Sequence, residues 1–220
     1  MRSTLDIGGV VIIGGGGHAK VVIESLRASG KAVAAIVDAD PTPRSVLGVP
    51  VIGDDLALAD LRGQGLSELF VALGENRLRE KLGGKARDLG FTLVNAIHPS
   101  AVISPTACIG EGVAVMAGVA INADTRIGDL AIVNTGAVVD HDCVLGVACH
   151  LGPAAALAGS VTLGDRAFLG VGARVIPGVT LGADTSVGAG GVVVRDLPDG
   201  VLAVGVPAQI KRARIKGDRP

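Results

Sequence analysis

An aliphatic residue recurs at every sixth position through the C-terminal half of the chain, and this period constrains the fold more than any other feature. The series runs without a slip through Ile103, Ile109, Val115, Ile121, Ile127, Val133, Val139, Leu145, Leu151, Leu157, Leu163, Leu169, Val175, Leu181, Val187 and Val193. A mostly small residue stands two positions before each member, from Ala101 to Gly191. Because alternate residues of a strand share a face, both rows are predicted to point inward.

A period of six does not fit an amphipathic helix, whose apolar stripe follows a period of 3.6, and it is typical of a parallel β-helix of hexapeptide repeats. The composition agrees, because a chain that is 49% hydrophobic and 1% aromatic suits thin layers of small aliphatic side chains. Glycine or asparagine often follows the aliphatic residue, as at Gly128 and Asn122. We predict that these residues supply the positive φ of tight corners.

Residues 10–38 are predicted to form a strand, a glycine-rich turn, a helix and a second strand. The turn fits G-x-G-x-x-A at Gly14, Gly16 and Ala19, and Asp38 ends the second strand. Glycines let a phosphate approach the backbone, and the helix N-terminus offers unpaired N–H groups. We therefore favour phosphate binding over a packing role, with the Asp38 carboxylate bonding a ribose or base. The segment "LFVALGENRLREKL" predicts a second strand and helix around a Gly74 turn.

The stretch "VNTGAVVDHDCVLGVACHLG", residues 133–152, gathers two histidines and two cysteines. The six-residue register places Cys143 and Cys149 in the inward row, where they are predicted to be small core residues. His141 and His150 face outward or lie at corners, and the other two histidines of the chain lie outside the repeat. The set does not match a zinc site, and no metal is predicted. Three cysteines form no disulfide framework, and Cys108 has no assigned role.

His141 is followed by Asp142, and Gly159 comes 18 residues later. If each coil has three faces of six residues, Gly159 lies one rung from His141, about 4.8 Å away. A histidine base with an acidic neighbour and an adjacent backbone N–H favours acyl transfer. The repeat itself leaves the number of faces and the handedness open.

Eight segments together resemble the bacterial nucleotide-sugar N-acetyltransferases, which are related to the sialic acid O-acetyltransferases. They are "IIGGGGHAKVV", "IVDAD", "VALGEN", "IHPSAVISPTA", "NTGAVVDHDCVLG", "ALAGSVTLG", "FLGVGARVIPGV" and "VGVPAQI". The resemblance runs nearly end to end. It implies an α/β Rossmann-like nucleotide-sugar-binding domain at 1–98, a left-handed parallel β-helix acetyltransferase domain at 99–205 and a C-terminal tail at 206–220.

The resemblance also implies roles for individual residues. His141 would be the general base, and Asp142, where the family often has Glu, would raise its basicity. Acetyl-CoA would contact four residues, namely His150, Gly159, Val171 and Ala189. The nucleotide sugar would contact five residues, namely Gly16, Gly17, His18, Asp38 and Gly74. The family is trimeric, so a homotrimer with active sites between subunits is expected.

The predicted function is acetyl-CoA-dependent N-acetylation of the 4-amino group of a nucleotide-linked 4-amino-4,6-dideoxy sugar by direct transfer. The resemblance favours GDP-perosamine, followed by a UDP-linked amino sugar, and places the enzyme in lipopolysaccharide or surface-glycan biosynthesis. Three alternatives stay open: a sialic acid O-acetyltransferase, a zinc carbonic anhydrase built on the same β-helix, and a non-catalytic nucleotide-sugar-binding protein.

Charge and hydropathy patterning predict a cytoplasmic protein without a nucleic-acid or membrane partner. The formal net charge is −1, and the short segment "KRARIK" is interpreted as a solvated end. The first thirteen residues contain an apolar run that is too short for a signal peptide or a membrane span.

Overall fold

The computed structural model describes residues 8–213, with the backbone alone for Arg212 and Ala213. The second half of the basic segment that begins at Lys211 lies outside the described residues, as does the start of the N-terminal apolar run. The described chain consists of an N-terminal α/β domain and a parallel β-helix. None of its helices is long and apolar enough to cross a membrane.

The N-terminal domain is a six-stranded sheet with helices packed against it. Its strands are β1 Val10–Ile13, β2 Val33–Val37, β3 Arg44–Val46, β4 Val49–Gly53, β5 Glu68–Val71 and β6 Thr92–Leu93. Its helices are α1 Gly17–Ala28, α2 Leu58–Gly63 and α3 Asn76–Asp88, with a 3₁₀ turn at Asp55–Ala57. The apolar run of β1 is buried throughout, as expected for a central parallel strand covered on both faces.

The sheet order β3-β4-β2-β1-β5-β6 creates a topological switch point beside β1. The chain leaves β1 through α1 toward β2 and later returns on the opposite side as β5. Ligands of open α/β sheets bind at such a point, outside the carboxyl ends of the strands. Gly14 follows β1 with φ +100°, and a Cβ there would lie 2.7 Å from the Leu73 side chain after β5. Glycine is required because the two loops touch.

The β-helix has three faces, each built from two-residue strands. The first face contains β7 Ala96–Ile97, β10 Ala114–Val115, β13 Ile132–Val133, β16 His150–Leu151, β19 Phe168–Leu169 and β22 Ser186–Val187, and it is extended by β24 Val201–Val204 and β25 Gln209–Ala213. The second contains β8 Val102–Ile103, β11 Ala120–Ile121, β14 Val138–Val139, β17 Ala156–Leu157, β20 Arg174–Val175 and β23 Val192–Val193. The third contains β9 Cys108–Ile109, β12 Arg126–Ile127, β15 Val144–Leu145, β18 Thr162–Leu163 and β21 Thr180–Leu181.

From β7 to β23 the register is uniform, because each strand pairs in parallel with the strand 18 residues further along, as Ala114 does with Ile132, whereas β22 pairs with β24 at a spacing of 16 residues and β25 is antiparallel. One coil is therefore three hexads, as the resemblance implied. Both predicted inward rows fill the interior, and Cys143 and Cys149 are fully buried among aliphatic side chains. Only the first coil is looser, with Ile103 and Ile109 partly buried.

The prediction that the glycine or asparagine directly after each aliphatic residue supplies positive φ is wrong. Positive φ occurs two residues later, at corner positions such as Asp124, Asp142 and Ser160. Gly128 instead lies against the next coil, where a Cβ would be 2.8 Å from the carbonyl carbon of Gly146. Glycine is needed at that position because backbones of successive coils approach closely.

The N-terminal domain covers the first face of the β-helix and the corner between the third and first faces. Ala114, Met116 and Ile132 share a core cluster with α1 and the sheet. Leu130 shares another with α2 and the strand ends, and it touches Gly83 of α3. Only two residues separate β6 from β7, so the domains are joined closely, and they share these two apolar clusters while the β-helix keeps a separate core of its own.

We expect Gly128→Ala to lower the free energy of unfolding by about 1–3 kcal/mol, because its Cβ meets backbone atoms that cannot rotate away. Gly84→Ala is the matched control, since Gly84 lies in α3 and a Cβ there would meet nothing within 4 Å. Replacing a helical glycine of this kind stabilises by about 1 kcal/mol. Urea unfolding measures both changes, and an equal effect of the two substitutions would contradict the close-approach explanation.

Candidate active site

His141 lies at the corner between β14 and β15, where the second face meets the third. Its side chain is 57% exposed. Gly159 lies one coil further along, and a Cβ there would be 2.5 Å from Cε1 of the imidazole. Because Gly159 has no side chain, the His141 ring can occupy the space that a Cβ would fill. Within residues 8–213 the Gly159 N–H donates to no acceptor, so it is available to a ligand.

Asp142 contacts the imidazole directly, with Oδ2 2.8 Å from Nδ1 of His141. Its backbone has φ +57°, a left-handed conformation that Asp tolerates better than most residues. The shorter side chain thus reaches the ring in spite of the missing methylene. With Nδ1–H donated to the carboxylate, the tautomer leaves the Nε2 lone pair to accept a substrate proton.

Asp140 and Asn122 also belong to this site, and sequence reasoning missed both. Oδ1 of Asp140 accepts hydrogen bonds from the His141 backbone N–H at 2.9 Å and from Asn122 Nδ2 at 2.8 Å. Asn122 precedes Asp140 by 18 residues, so the spacing that placed Gly159 beside His141 was a usable signal. The buried Thr125 hydroxyl donates to the Asp140 carbonyl at 2.8 Å and fixes the backbone.

The two carboxylates make the imidazole more basic. The hydrogen bond that the imidazole donates to Asp142, followed by the negative charge of Asp140, raises the pKa of His141 above its ordinary value. Hydrogen bonds from Asn122 and from the His141 N–H lower the pKa of Asp140, so it is ionised at neutral pH. The corner therefore carries a histidine base held between two anionic groups.

His150 lies on the first face, beneath the N-terminal domain. Its ring packs edge-on against Phe168 with centroids 5.2 Å apart, and its Nε2 is 3.3 Å from Asn134 Nδ2. Its Nδ1 is buried without a hydrogen-bond partner in the described part of the chain. Burial, then the positive charge of Arg79, lowers the pKa of His150 to about 3, so the ring is neutral.

The N-terminus of α1 presents Gly16, Gly17 and His18 at the switch point. No side chain caps the helix, its first turn holds no acidic residue, and a Cβ on Gly16 or Gly17 would meet nothing within 4 Å. His18 Nε2 is buried without a partner among residues 8–213. Burial, then Arg79, lowers the pKa of His18 to about 4. The open, electropositive helix end suits a phosphate group.

Asp38 follows β2 at the same edge of the sheet. Its carboxylate accepts hydrogen bonds from the Gly15 and Asp40 N–H groups and lies 3.2 Å from the Arg44 guanidinium. Burial acts to raise the pKa of Asp38, but these hydrogen bonds outweigh it and lower the pKa below its ordinary value. An ionised carboxylate is thus fixed next to the glycine turn.

The structure joins some predicted residues and separates others. The backbone of Gly74 and the charge of His18 both act on the pKa of His150, so these three residues border one cleft between the domains. Val171 and Ala189 follow β19 and β22, at the corner between the first and second faces. His141 and Gly159 lie at a different corner, on the far side of the second face. One chain does not bring the predicted acetyl-CoA contacts together.

Metal ligands are not clustered in the described chain, where no three His, Cys, Asp or Glu side chains are placed to hold an ion. Burial raises the pKa of the Cys143 thiol, and it raises that of Cys149 to about 12. Both cysteines are therefore neutral core residues. Cys108 is exposed. The zinc carbonic anhydrase alternative gains no support from these side chains.

Taken together, an α/β nucleotide-type domain and a hexapeptide β-helix with a His–Asp corner define a class of nucleotide-dependent acyltransferases. The family model for the PglD N-terminal domain matches residues 9–85. A GDP-perosamine N-acetyltransferase from Caulobacter crescentus, solved with CoA and GDP-perosamine, is 80% identical with a TM-score of 0.93, and the match covers 96% of this chain and 100% of that one. That enzyme has also been solved as a histidine-to-alanine variant, with a TM-score of 0.94.

Two further relatives agree. The acetyltransferase domain of PglB from Neisseria gonorrhoeae, in complex with acetyl coenzyme A, is 42% identical with a TM-score of 0.86, over 92% of this chain and 98% of that one. UDP-N-acetylbacillosamine N-acetyltransferase of Bacillus subtilis is 42% identical over 114 residues, which are 49% of this chain and about half, 51%, of that enzyme. The chain belongs to the nucleotide-sugar N-acetyltransferases, in which a Rossmann-like domain precedes a left-handed β-helix.

We expect a histidine NMR titration to separate three of the imidazoles. His141 titrates above its ordinary value of about 6.5, whereas His18 and His150 stay neutral down to pH 5. Asp142→Asn removes the charge that favours the imidazolium, so the pKa of His141 falls while His18 and His150 do not change. A ring at position 150 that titrates near neutral pH would contradict its burial beneath the N-terminal domain.

Proposed function

We propose that this protein transfers the acetyl group of acetyl-CoA to the 4-amino group of a nucleotide-linked 4-amino-4,6-dideoxy sugar, with GDP-perosamine as the preferred substrate and a UDP-linked amino sugar as the next candidate. The observation that carries the proposal is the 80% identity, over 96% of this chain, to a GDP-perosamine N-acetyltransferase. The His141–Asp142 pair supplies the chemistry that such a reaction needs.

The proposed reaction is a direct transfer. Nε2 of His141 accepts a proton from the sugar amine as the amine nitrogen bonds to the thioester carbonyl carbon. The carbon–sulfur bond breaks, and the imidazolium returns the proton to the departing thiolate. Asp142 and Asp140 stabilise the positive charge on His141 during this exchange. The Gly159 N–H donates to the carbonyl oxygen as negative charge develops there.

The N-terminal domain would hold the nucleotide. The diphosphate would bind the N–H groups at the start of α1, beside Gly16, Gly17 and His18. Asp38 would accept hydrogen bonds from the ribose or base, and Gly74 would border the sugar. On the β-helix, His150, Gly159, Val171 and Ala189 would line the acetyl-CoA groove.

We infer that the active enzyme is a homotrimer. The N-terminal domain covers the first face, whereas His141 lies at the corner opposite that face, so one chain holds its base away from its own nucleotide site. The second face between the two separated corners carries exposed apolar side chains, including Val102 at 71% and Val138 at 40% exposure. Packing these faces around a threefold axis would bring His141 of one protomer beside the nucleotide domain of its neighbour.

Location and pathway follow from the substrates. Acetyl-CoA and nucleotide sugars are cytoplasmic metabolites, so we infer a cytoplasmic enzyme. A nucleotide-linked sugar is a donor for glycosyl transfer, and its acetylated form would be consumed in building a lipopolysaccharide or another surface glycan.

The activity is tested by incubating the protein with acetyl-CoA and GDP-, UDP- and dTDP-linked amino sugars, followed by mass spectrometry. We expect one base-stable acetyl group on the GDP-linked sugar. His141→Ala should lower kcat by about 10²–10⁴-fold, since the general base is lost. His98→Ala is the control, because that histidine bonds Ser100 on the first coil at 2.8 Å.

Other outcomes identify the alternatives. A base-labile acetyl group on a sialic acid would indicate an O-acetyltransferase. Calorimetric binding of a nucleotide sugar without binding of CoA would indicate a non-catalytic binding protein. Near wild-type transfer by folded His141→Ala would refute the assignment of the base.

The shared site is tested by mixing two inactive variants. Gly16→Asp places a carboxylate where the phosphate would bind, while Asp at this N-cap position favours the helix and meets no protein atom within 4 Å. When Gly16→Asp and His141→Ala are dissociated, mixed in equal amounts and reassembled, about a quarter of wild-type activity should return. A quarter of the interfaces then pair an intact nucleotide site with an intact His141. If each chain held a complete site, the mixture would stay inactive.

A further inference from the structure

Arg79 is a completely buried cation at the junction of the two domains, and the reaction proposed above does not use it. It lies in the first turn of α3, shortly after the Gly74 turn. Arginine is almost never fully buried unless its charge is compensated. The contacts that compensate the charge of Arg79 therefore indicate what the side chain does.

Every donor of the guanidinium has an acceptor. Nε donates to Leu130 O at 2.7 Å, Nη1 to Leu73 O at 2.9 Å and Gly74 O at 3.2 Å, and Nη2 to Asn76 Oδ1 at 2.9 Å, Ala148 O at 2.8 Å and Cys149 O at 3.2 Å. Three of these acceptors belong to the N-terminal domain and three to the β-helix. One rigid planar group is thus bonded to both.

None of these acceptors is a carboxylate. Burial lowers the pKa of Arg79 to about 10, so the side chain is still charged at neutral pH. A buried cation without a contacting anion costs several kcal/mol of desolvation, and an apolar side chain would fill the space at lower cost. An apolar side chain has no donors, whereas the guanidinium has five N–H donors in a planar fork. This geometry holds carbonyl groups of two domains in one plane.

The bonded carbonyls lie next to both candidate substrate sites. Leu73 and Gly74 form the turn after β5 at the nucleotide switch point, and Cys149 directly precedes His150. The charge of Arg79 also contributes to keeping His18 and His150 neutral, after burial. The two sides of the cleft that these residues border are thus joined by the single side chain of Arg79.

We propose that Arg79 is a positioning residue that holds the Gly74 turn and His150 in the relative geometry needed for nucleotide-sugar binding and transfer. This role rests on the proposed function. It predicts that loss of the guanidinium changes binding and turnover, and not stability alone.

Arg166 provides a matched control on the same junction. Its guanidinium bonds Glu80 of α3 at 3.0 Å and Asp184 of the β-helix at 3.0 Å, so it also ties α3 to the coils. It contacts neither the Gly74 turn nor the Ala148–Cys149 corner. Arg166→Met should therefore loosen the same interface without altering the cleft.

The test compares Arg79→Met with Arg166→Met in the full-length protein. We expect Arg79→Met to raise KM for the nucleotide sugar and Kd for free GDP at least tenfold, with a lower kcat. Arg166→Met should lower the unfolding midpoint and leave KM, Kd and kcat within twofold of wild type.

Arg79→Lys should not recover the wild-type values, because one ammonium cannot reach carbonyls on both sides. Methylguanidinium at millimolar concentration should partly restore Arg79→Ala, and methylammonium should not.

Wild-type kinetic values with loss of stability alone in Arg79→Met would overturn the proposal. If Arg79→Met does not fold, Asn76→Asp and Asn76→Ala replace it. Asn76→Asp keeps an acceptor for Arg79 while removing the Nδ2 donor to Arg166 O, and Asn76→Ala removes both. The difference between these two variants reports the acceptor of Arg79 and leaves the cation in place. A higher KM in Asn76→Ala than in Asn76→Asp then supports the positioning role, and an equal KM overturns it.

Calorimetry with GDP separates the proposed function from the positioning role of Arg79. A wild-type protein that binds GDP but acetylates no amino sugar refutes the proposed function. The comparison of GDP affinity between wild type and Arg79→Met still tests the role of Arg79.

Discussion

Parallel pairing between residues 18 positions apart is the constraint on which the rest of the structure depends. Each strand bonds the strand one coil away, so a residue at a corner lies beside the residue 18 positions further along the chain. This pairing places Gly159 against the His141 ring and Asn122 against Asp140. Slipping the register by one residue would turn the inward aliphatic row outward, so burial of that row fixes the pairing and thereby the site.

The same regularity explains what the sequence could predict. The inward rows, the core position of Cys143 and Cys149, and the stacking of Gly159 on His141 follow from a period of six and a coil of 18. The position of positive φ does not, because glycine has two uses in a coil and only the structure separates them. Gly128 serves close approach between coils, whereas Asp142 accepts the left-handed conformation. Asp140 and Asn122 were within reach of the 18-residue spacing, which sequence reasoning applied only to Gly159.

Contacts between the domains were beyond sequence reasoning for a physical reason. Repeat periodicity reports which side chains point outward from the coil, but not which outward surfaces another domain covers. His150 points outward and is nevertheless buried beneath the N-terminal domain. Arg79 stands in the charged sequence "NRLREKL", which on its own is typical of a solvated helix face, yet the side chain is completely buried. Both environments arise only when α3 and the first face pack together.

That packing divides the histidines into two chemical types. His141 is exposed between two carboxylates, which favour its charged form, so a proton on the ring is stabilised. His18 and His150 are half-buried near a cation, and desolvation followed by that positive charge favours their neutral forms. A neutral imidazole offers one donor and one acceptor and carries no charge. Solvent exposure and the sign of the nearest charge therefore raise the pKa of the imidazole at one corner of the β-helix and lower the pKa values of the two imidazoles at the junction of the domains.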